Sequence, residues 1–194
     1  MIDTTPAYSI RIKDEIMNAL AYDILLSKAS KVEKIIELFG GMGRMTQLIS
    51  KHFPTSKIIS FDLDKKCCDT IKKIVPNAIV LMKDSLQNNY YIDECSGVLC
   101  DFNLLTIKTF HTKFKYFFDD MLNRNPSWFI LTDSCISKLK MNYIHYNMNT
   151  PKLKEYIELY KIYLIDYDYE LKKTIKAHNR SFMMLFERRY GYAL

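Results

Sequence analysis

The sequence predicts an α/β domain, and three observations along the chain lead to that fold class. Short apolar runs, typical of buried strands, alternate with segments of helical periodicity between residues 13 and 160. A glycine-rich turn at 40–43 joins the first such strand to a helix. Two strand-like runs, 163–171 and 181–188, then end the chain with no helical segment between them. Five strands joined by helices and a terminal hairpin predict a seven-stranded sheet with helices on both faces.

The first half of the chain divides at residues that begin or end helices. Asp64 is a candidate N-cap, because an Asp side chain accepts bonds from the free amides of a first helical turn. Pro76 and Asn77 end that helix, and Pro54 and Thr55 turn the chain toward the second strand. The predicted elements are a helix at about 11–29, a strand at 33–38, a helix at 44–53, a strand at 57–62, a helix at 65–75 and a strand at 78–82.

The second half continues the alternation until the terminal hairpin. Apolar residues recur at helical spacing after the fourth strand, and Asn125-Pro126 ends that helix. Tyr163, Tyr167 and Tyr169 alternate along the sixth strand, so we expect them to share one face of the sheet. The predicted elements are a strand at 97–101, a helix at 107–121, a strand at 128–132, a helix at 153–160 and strands at 163–171 and 181–188.

The glycine-rich turn carries the most specific motif of the chain. Glu37 ends the first strand, and Gly41 and Gly43 follow it in an acid-x-x-x-Gly-x-Gly pattern. Glycines at such a corner let the backbone approach a ligand closely, and the amides that begin the next helix favour negative charge. A dinucleotide fingerprint would need a third small residue where Thr46 stands, so a nicotinamide cofactor is disfavoured.

This pattern resembles motif I of the class I S-adenosylmethionine-dependent methyltransferases. The Phe39-x-Gly41-x-Gly43 form is most similar to the variant common in nucleic-acid methyltransferases. The order of elements, with a terminal hairpin in place of further strand–helix units, is also similar to the family's fold from about residue 12 to 190. The resemblance therefore implies one Rossmann-like class I methyltransferase domain over 1–194, with S-adenosylmethionine as its cofactor.

The resemblance assigns cofactor roles to residues at the ends of three strands. Asp62 matches the acid that binds the two ribose hydroxyls, and Leu63 would pack on an adenine face. Asp84 and Ser85 match motif III, where an acid accepts the adenine amino group and the next amide meets a ring nitrogen. Glu37 would act through the network near the methionine amino group. The expected cofactor-binding residues are Glu37, Phe39, Gly41, Gly43, Asp62, Leu63, Asp84 and Ser85.

Motif IV is expected, by position, at the end of the fourth strand. The resemblance implies that Asp101 and Asn103 hold the acceptor atom and that Phe102 stacks on a planar substrate. Amino-methylating enzymes of this kind carry two prolines at this position, and this chain has no proline there. A catalytically silent domain therefore remains an alternative. Cys100 is expected to be buried in the strand, which disfavours cytosine C5 chemistry.

A ribose-directed reaction is a further alternative. Lys13, Asp101, Lys138 and Glu187 follow the order of the Lys-Asp-Lys-Glu tetrad of ribose 2′-O-methyltransferases. However, Lys138 lies beyond the end of the fifth strand, and Glu187 lies at the far end of the last one. We therefore interpret the match as coincidence and favour an amine acceptor over a ribose oxygen.

The loop after the fifth strand is the candidate substrate surface. Lys138, Lys140, Tyr143 and Tyr146 interleave charge with flat rings, a combination that suits phosphates and stacked bases. Packing of these rings on the core is the alternative. From Lys138 to the C-terminus, 11 Lys or Arg accompany 6 Asp or Glu, so most of the net charge of +6 lies there. Such a surface attracts nucleic acid or is simply solvated.

Composition sets the remaining limits. A chain of 194 residues with 48% hydrophobic residues forms one globular domain, and no apolar run reaches the length of a membrane span. Five cysteines without a C-x-x-C pair predict a reducing cytoplasm and no metal site.

The predicted function is methyl transfer from S-adenosylmethionine to nucleic acid, either DNA or RNA. A small-molecule or protein methyltransferase, or a catalytically silent methyltransferase-like binding subunit, is the alternative. Because the predicted core uses the whole chain, short loops or a partner subunit would have to supply target recognition.

Overall fold

A computed structural model describes residues 33–94, 96–100, 110–134, 158, 161, 164, 166–176 and 181–189. The strands are β1 (Lys34–Leu38), β2 (Lys57–Asp62), β3 (Ile79–Met82), β4 (Ser96–Cys100), β5 (Trp128–Ser134), β6 (Tyr169–Lys176) and β7 (Ser181–Arg188). The helices are α1 (Arg44–His52), α2 (Lys65–Ile74) and α3 (Phe110–Asn123), and short 3₁₀ turns occupy Ser85–Gln87 and Asn89–Tyr91. Within these ranges no helix is long and apolar enough to cross a bilayer.

The seven strands form one sheet in the order β3-β2-β1-β4-β5-β7-β6. Neighbours among β1 to β5 pair in parallel, whereas β7 is antiparallel to both β5 and β6. The predicted sheet with a terminal antiparallel hairpin is therefore confirmed. The chain runs from β1 out to β3 and returns on the other side of β1 as β4. The carboxyl ends of β1 and β4 thus flank the reversal of strand order, where open α/β sheets bind ligands.

Helices cover both faces of the sheet, which explains why its central strands are largely apolar. Ile36 and Val98 belong to a buried cluster that includes residues of α3, while Ile35 and Leu99 belong to a second cluster with residues of α1. Successive residues of a strand point to opposite faces, so most positions in these strands need an apolar side chain, with Glu37 of β1 and Ser60 of β2 as buried polar exceptions. This two-sided core holds the carboxyl ends of the strands in fixed positions.

The sixth strand is the main departure from the predicted elements. The sequence predicts it at 163–171, but Leu164 is buried in a helical segment and 166–168 form a turn. Asp168 has a left-handed φ of 59°, and β6 begins only at Tyr169. Tyr167 therefore lies in a turn and not in the predicted strand, although it packs with Tyr169 on the same buried cluster, and Tyr163 lies outside the described residues. Alternation over so few residues does not distinguish a strand from a helix end followed by a turn.

Other boundaries agree with the prediction or shift by a few residues. β5 continues to Ser134, and Asn125 adopts a left-handed φ of 55° just after α3, which confirms the predicted helix end. The predicted helix at about 11–29 lies outside the described residues. Of the predicted helix at 153–160 the structure describes residue 158, which is helical.

Candidate cofactor site

The turn between β1 and α1 contains three left-handed residues. Phe39, Gly41 and Gly43 have φ values of 59°, 53° and 78°. For Phe39 this conformation costs about 1 kcal/mol, and such strain tends to persist at functional sites. Its side chain packs against the cluster on the α3 side of the sheet, and the Gly40 amide donates to the Phe61 carbonyl over 2.8 Å. The turn is therefore fixed by the packing of Phe39 on this cluster and by a backbone hydrogen bond to β2.

The three glycines of the turn are required for different physical reasons. A Cβ at Gly40 would lie 2.3 Å from Oγ of Ser60 and 2.7 Å from a side-chain carbon of α2, so packing excludes any larger residue. A Cβ at Gly43 would also lie 2.7 Å from a side chain of α2. At Gly41 the nearest atom among the described residues, the Phe39 carbonyl oxygen, would be 3.9 Å away. Gly41 is thus the glycine whose surroundings leave room for a ligand.

Glu37 lies beneath this turn as a buried carboxylate. The residue is 1% exposed, and its Oε2 accepts hydrogen bonds of 2.6 Å from the hydroxyls of Thr46 and Ser60. These donors come from α1 and β2, and bonds to a charged acceptor are stronger than neutral ones. Glu37 therefore fastens β1, β2 and α1 together under the turn. Its contact with a methionine amino group stays a prediction.

Sequence interpretation did not assign Gly40, Ser60 or Thr46 to the site. Ser60 offered a usable signal, because it is a polar residue within the otherwise apolar run of β2. Thr46 entered only as an argument against a dinucleotide cofactor. Gly40 offered no signal in the sequence, since its tight packing depends on β2 and α2 meeting there.

Asp62 carries its carboxylate to the same edge of the sheet. Its Oδ2 accepts a bond of 2.8 Å from the Gly41 amide, and its Oδ1 accepts one of 2.8 Å from the Asp64 amide. The two bonds set the orientation of the carboxylate, and each oxygen keeps capacity for a further donor. This geometry suits a ligand that presents two neighbouring hydroxyl groups beside the turn.

Asp62 and Asp64, which lie on either side of Leu63, have different roles. Oδ1 of Asp64 accepts bonds from the amides of Lys66 at 2.7 Å and Cys67 at 3.3 Å, so its predicted role as the N-cap of α2 is confirmed. Leu63 is 68% exposed between them. It offers an apolar surface on which a flat ring would bury area.

A second polar corner follows β3. Oδ1 of Asp84 accepts a bond of 3.0 Å from the Leu86 amide and caps the 3₁₀ turn. Ser85 is 4% exposed, and its hydroxyl has no hydrogen-bond partner among the described residues. A buried hydroxyl without a partner is costly, so a ligand or water that bonds to it would stabilise this corner. The adenine contacts of these residues stay predictions.

Two thiols beside the site are held in the neutral form. Burial, followed by the charge of Asp62, raises the pKa of Cys67 and of Cys68. Sγ of Cys68 donates to the Asp62 carbonyl over 3.5 Å, and Sγ of Cys67 lies 4.0 Å from Sδ of Met42. A raised pKa disfavours the reactive thiolate, so neither cysteine is suited to act as a nucleophile.

The predicted catalytic residues follow β4 directly. Cys100 ends this strand, pairs with Leu38 of β1 and is 1% exposed, which confirms its predicted burial. The catalytic roles of the residues that follow Cys100, and the substrate contacts of the basic loop, stay predictions. The residues of these two predicted sets that lie outside the described ranges are Asp101, Phe102, Asn103, Lys138, Lys140, Tyr143 and Tyr146.

Glu187 lies at the opposite edge of the sheet from this site. Because β7 runs antiparallel to β5, Glu187 pairs with Trp128 at the amino end of β5, while Ser181 pairs with Ser134 at its carboxyl end. A strand of this length spans about 20 Å. Glu187 therefore does not reach the site, in agreement with our interpretation of the Lys-Asp-Lys-Glu order as coincidence.

Solved structures of similar fold are methyltransferases. Magnesium protoporphyrin IX methyltransferase from Synechocystis PCC 6803, solved with bound S-adenosylmethionine, has a TM-score of 0.64 at 12% identity, covering 96% of this chain and 86% of that one. The plantazolicin methyltransferase BpumL, solved with S-adenosylhomocysteine, has a TM-score of 0.64 at 13% identity, with 94% and 86% covered. The methyltransferase domain of bacterial CtHen1 has a TM-score of 0.62 at 13% identity, with 91% and 99% covered.

These likenesses show the fold of this chain, which is the class I methyltransferase fold. No protein-family model matches the sequence, and no curated protein matches it either.

Proposed function

We propose that this chain is a methyltransferase that uses S-adenosylmethionine. The observation that carries the proposal is the open turn at Gly41, whose amide orients the Asp62 carboxylate at the switch point of a class I methyltransferase fold. Two proteins of similar fold were solved with S-adenosylmethionine or S-adenosylhomocysteine. An oriented carboxylate beside an unobstructed turn suits the two hydroxyls of a ribose.

The residues of the corner fit the parts of this cofactor. Asp62 would accept the ribose hydroxyls, and the adenine would cover the exposed side chain of Leu63. Asp84 would accept the adenine amino group, and the buried hydroxyl of Ser85 would gain a partner. Gly41 would lie beside the sugar and methionine tail, where Phe39, Gly43 and the support from Glu37 set the path of the backbone.

Positioning is the main contribution that the protein makes to methyl transfer. S-adenosylmethionine supplies an electrophilic methyl group on a sulfonium. Asp101 and Asn103 would accept hydrogen bonds from an amine and aim its lone pair in line with that methyl, and Phe102 would stack on the acceptor. Holding two reactants in this way accounts for much of an enzyme's rate gain without strong acid–base groups.

Nucleic acid is the acceptor class that we propose. The Phe39-x-Gly41-x-Gly43 form of motif I and the net charge of +6 support it. Lys138, Lys140, Tyr143 and Tyr146 would contact phosphates and bases.

The decisive experiment is calorimetric titration with S-adenosylmethionine and S-adenosylhomocysteine. We expect Asp62→Ala to weaken binding of both by about tenfold to a hundredfold, because two charge-assisted hydrogen bonds are lost. Asp69→Ala, which removes an exposed carboxylate from α2, is the matched control and should bind like the wild type. Equal affinities in all three proteins, or no binding to folded wild type, would refute the cofactor assignment. A screen for tritiated methyl transfer to DNA, RNA and protein fractions then tests the acceptor class.

A methyltransferase acting on a small molecule is the second candidate. Two of the proteins with similar fold are named for a porphyrin and for plantazolicin. Asp101→Ala separates both catalytic candidates from a silent binding subunit. An enzyme should lose turnover and keep cofactor binding, whereas a silent subunit has no turnover to lose.

A further inference from the structure

The surface of α2 carries an excess of lysine that the rest of the described chain does not balance. Residues 44–74 include seven Lys or Arg and three Asp or Glu. Of these acids, Asp62 lies in the cofactor corner and Asp64 caps α2. Asp69 is therefore the one acid on the outer surface of the helix. It is surrounded in the helical sequence by four exposed lysines, which are Lys65, Lys66, Lys72 and Lys73.

Three of these lysines are available to an external anion. Lys65 is bound to Asp69 over 2.7 Å, whereas Lys66, Lys72 and Lys73 form no ion pair within the described residues. The opposite side of α2 is buried, so the lysines cannot turn toward the core. A shallow depression of about 560 Å³ lies along the helix, bordered by Lys65, Lys66, Lys73 and Thr70 and by the acids Asp64 and Asp69.

In the terminal hairpin, in contrast to α2, basic residues form ion pairs with nearby acids. Lys172 contacts both Glu170 and Glu187, and Arg189 lies 3.9 Å from Glu170. These cations are partly neutralised within the hairpin itself. Among the described residues, α2 thus carries three lysines without an ion pair on one helix, whereas Lys172 and Arg189 of the hairpin are paired.

The position of α2 connects this charge with the candidate site. The helix begins three residues after Asp62, so Lys65 and Lys66 stand beside the cofactor corner and Lys72 and Lys73 stand at the distal end. Ten residues of helix are about 15 Å long, which is about four phosphates of one strand. A nucleic acid that lies along α2 would thus lead toward the carboxyl edge of the sheet.

We propose that Lys66, Lys72 and Lys73 of α2 contact the phosphate backbone of the nucleic acid that this protein methylates. The inference rests on the proposed function, since it supplies that substrate with a binding surface. Lysine contacts to phosphate release condensed counterions, and the affinity therefore depends on salt. These contacts carry no base specificity, so they orient the strand and leave recognition of the acceptor base to other residues.

The test is fluorescence anisotropy with a labelled RNA of 20 nucleotides and a labelled DNA duplex of 20 base pairs. Affinity is measured between 50 and 200 mM salt for the wild type, for Lys66→Gln/Lys73→Gln and for the control Lys161→Gln. Lys161 is exposed and pairs with Glu158 at 2.9 Å, so its charge is already balanced locally.

We expect the double variant to lose about tenfold in affinity per lysine at 50 mM salt, the factor expected for release of one counterion. Its slope of log affinity against log salt should fall by about 1.4 with RNA and by about 1.8 with duplex DNA. The probe with the larger loss identifies the preferred form. Binding of S-adenosylhomocysteine and the melting temperature should not change.

Two results would overturn the inference in distinguishable ways. If the wild type binds either probe and the double variant binds as tightly as the Lys161→Gln control, α2 is not the phosphate surface and the proposed function stands. If the wild type binds S-adenosylhomocysteine but neither probe, the nucleic-acid part of the proposed function fails together with this inference.

Discussion

Two buried glutamates, Glu37 and Glu187, lie at opposite edges of the sheet and are stabilised in different ways. Glu37 is 1% exposed at the carboxyl edge and accepts bonds from two neutral hydroxyls. Glu187 is 5% exposed near the amino end of β5, where the ammonium group of Lys172 lies 3.9 Å from its Oε2. Burial alone therefore does not distinguish a residue of the site from a residue of the framework.

The identity of the donors makes that distinction. Burying a carboxylate is costly unless it is paired or hydrogen-bonded. At Glu187 a long lysine side chain supplies the partner from the edge strand, and it contacts Glu170 as well. At Glu37 the donors are short side chains of β2 and α1, so the bonds also determine where the turn above them lies. The arrangement at Glu187 stabilises a hairpin, and the arrangement at Glu37 fixes the turn of the candidate cofactor site.

Replacing Glu37 or Glu187 by alanine should give the largest difference between the candidate site and the hairpin. Glu37→Ala leaves two buried hydroxyls without their acceptor, so we expect a loss of about 3 kcal/mol in the free energy of unfolding and no detectable binding of S-adenosylhomocysteine. Glu187→Ala leaves Lys172 with Glu170 and solvent, so we expect a loss of about 1 kcal/mol and unchanged binding. Urea denaturation and calorimetry measure both quantities. Equal effects of the two variants on binding would contradict the comparison.

A smaller effect is expected from crowding the site without removing a polar group. Gly40→Ala places a Cβ 2.3 Å from Oγ of Ser60, so we expect a loss of about 2 kcal/mol and weakened cofactor binding. Gly41→Ala places a Cβ 3.9 Å from the nearest atom of the described residues and should cost only about 1 kcal/mol, from its positive φ. Denaturation curves for the pair check this order, which would be wrong if Gly41→Ala proved the less stable protein.

The smallest effect belongs to the ion pairs of the hairpin. Arg189 is 55% exposed and its Nε lies 3.9 Å from Glu170, so the attraction between the two is screened by solvent. We expect Arg189→Gln to lower stability by less than about 1 kcal/mol and to leave cofactor binding unchanged. The difference from wild type should shrink further at high salt. A loss of cofactor affinity in this variant would show that the two edges of the sheet are coupled.

Much of the fold was predictable because it depends on local patterns. Apolar runs that need cover on two faces, a glycine turn between β1 and α1 and helix ends at Asp64 and Asn125 are all written within a few neighbouring residues. The start of β6 was not predictable in this way. A helix end and turn near Leu164 carry the same alternation of apolar residues as a strand.

The sequence by itself determined the order of elements, the position of the turn, the place of Asp62 at the end of β2 and the cap of α2 at Asp64. Only the tertiary structure decided that Glu37 supports the turn from below and that Gly40 admits no side chain. The partners of Glu37 are 9 and 23 residues away, and those contacts depend on how β1, β2 and α1 meet. Periodicity and spacing describe single elements, whereas distances between elements follow from the packing of the whole sheet.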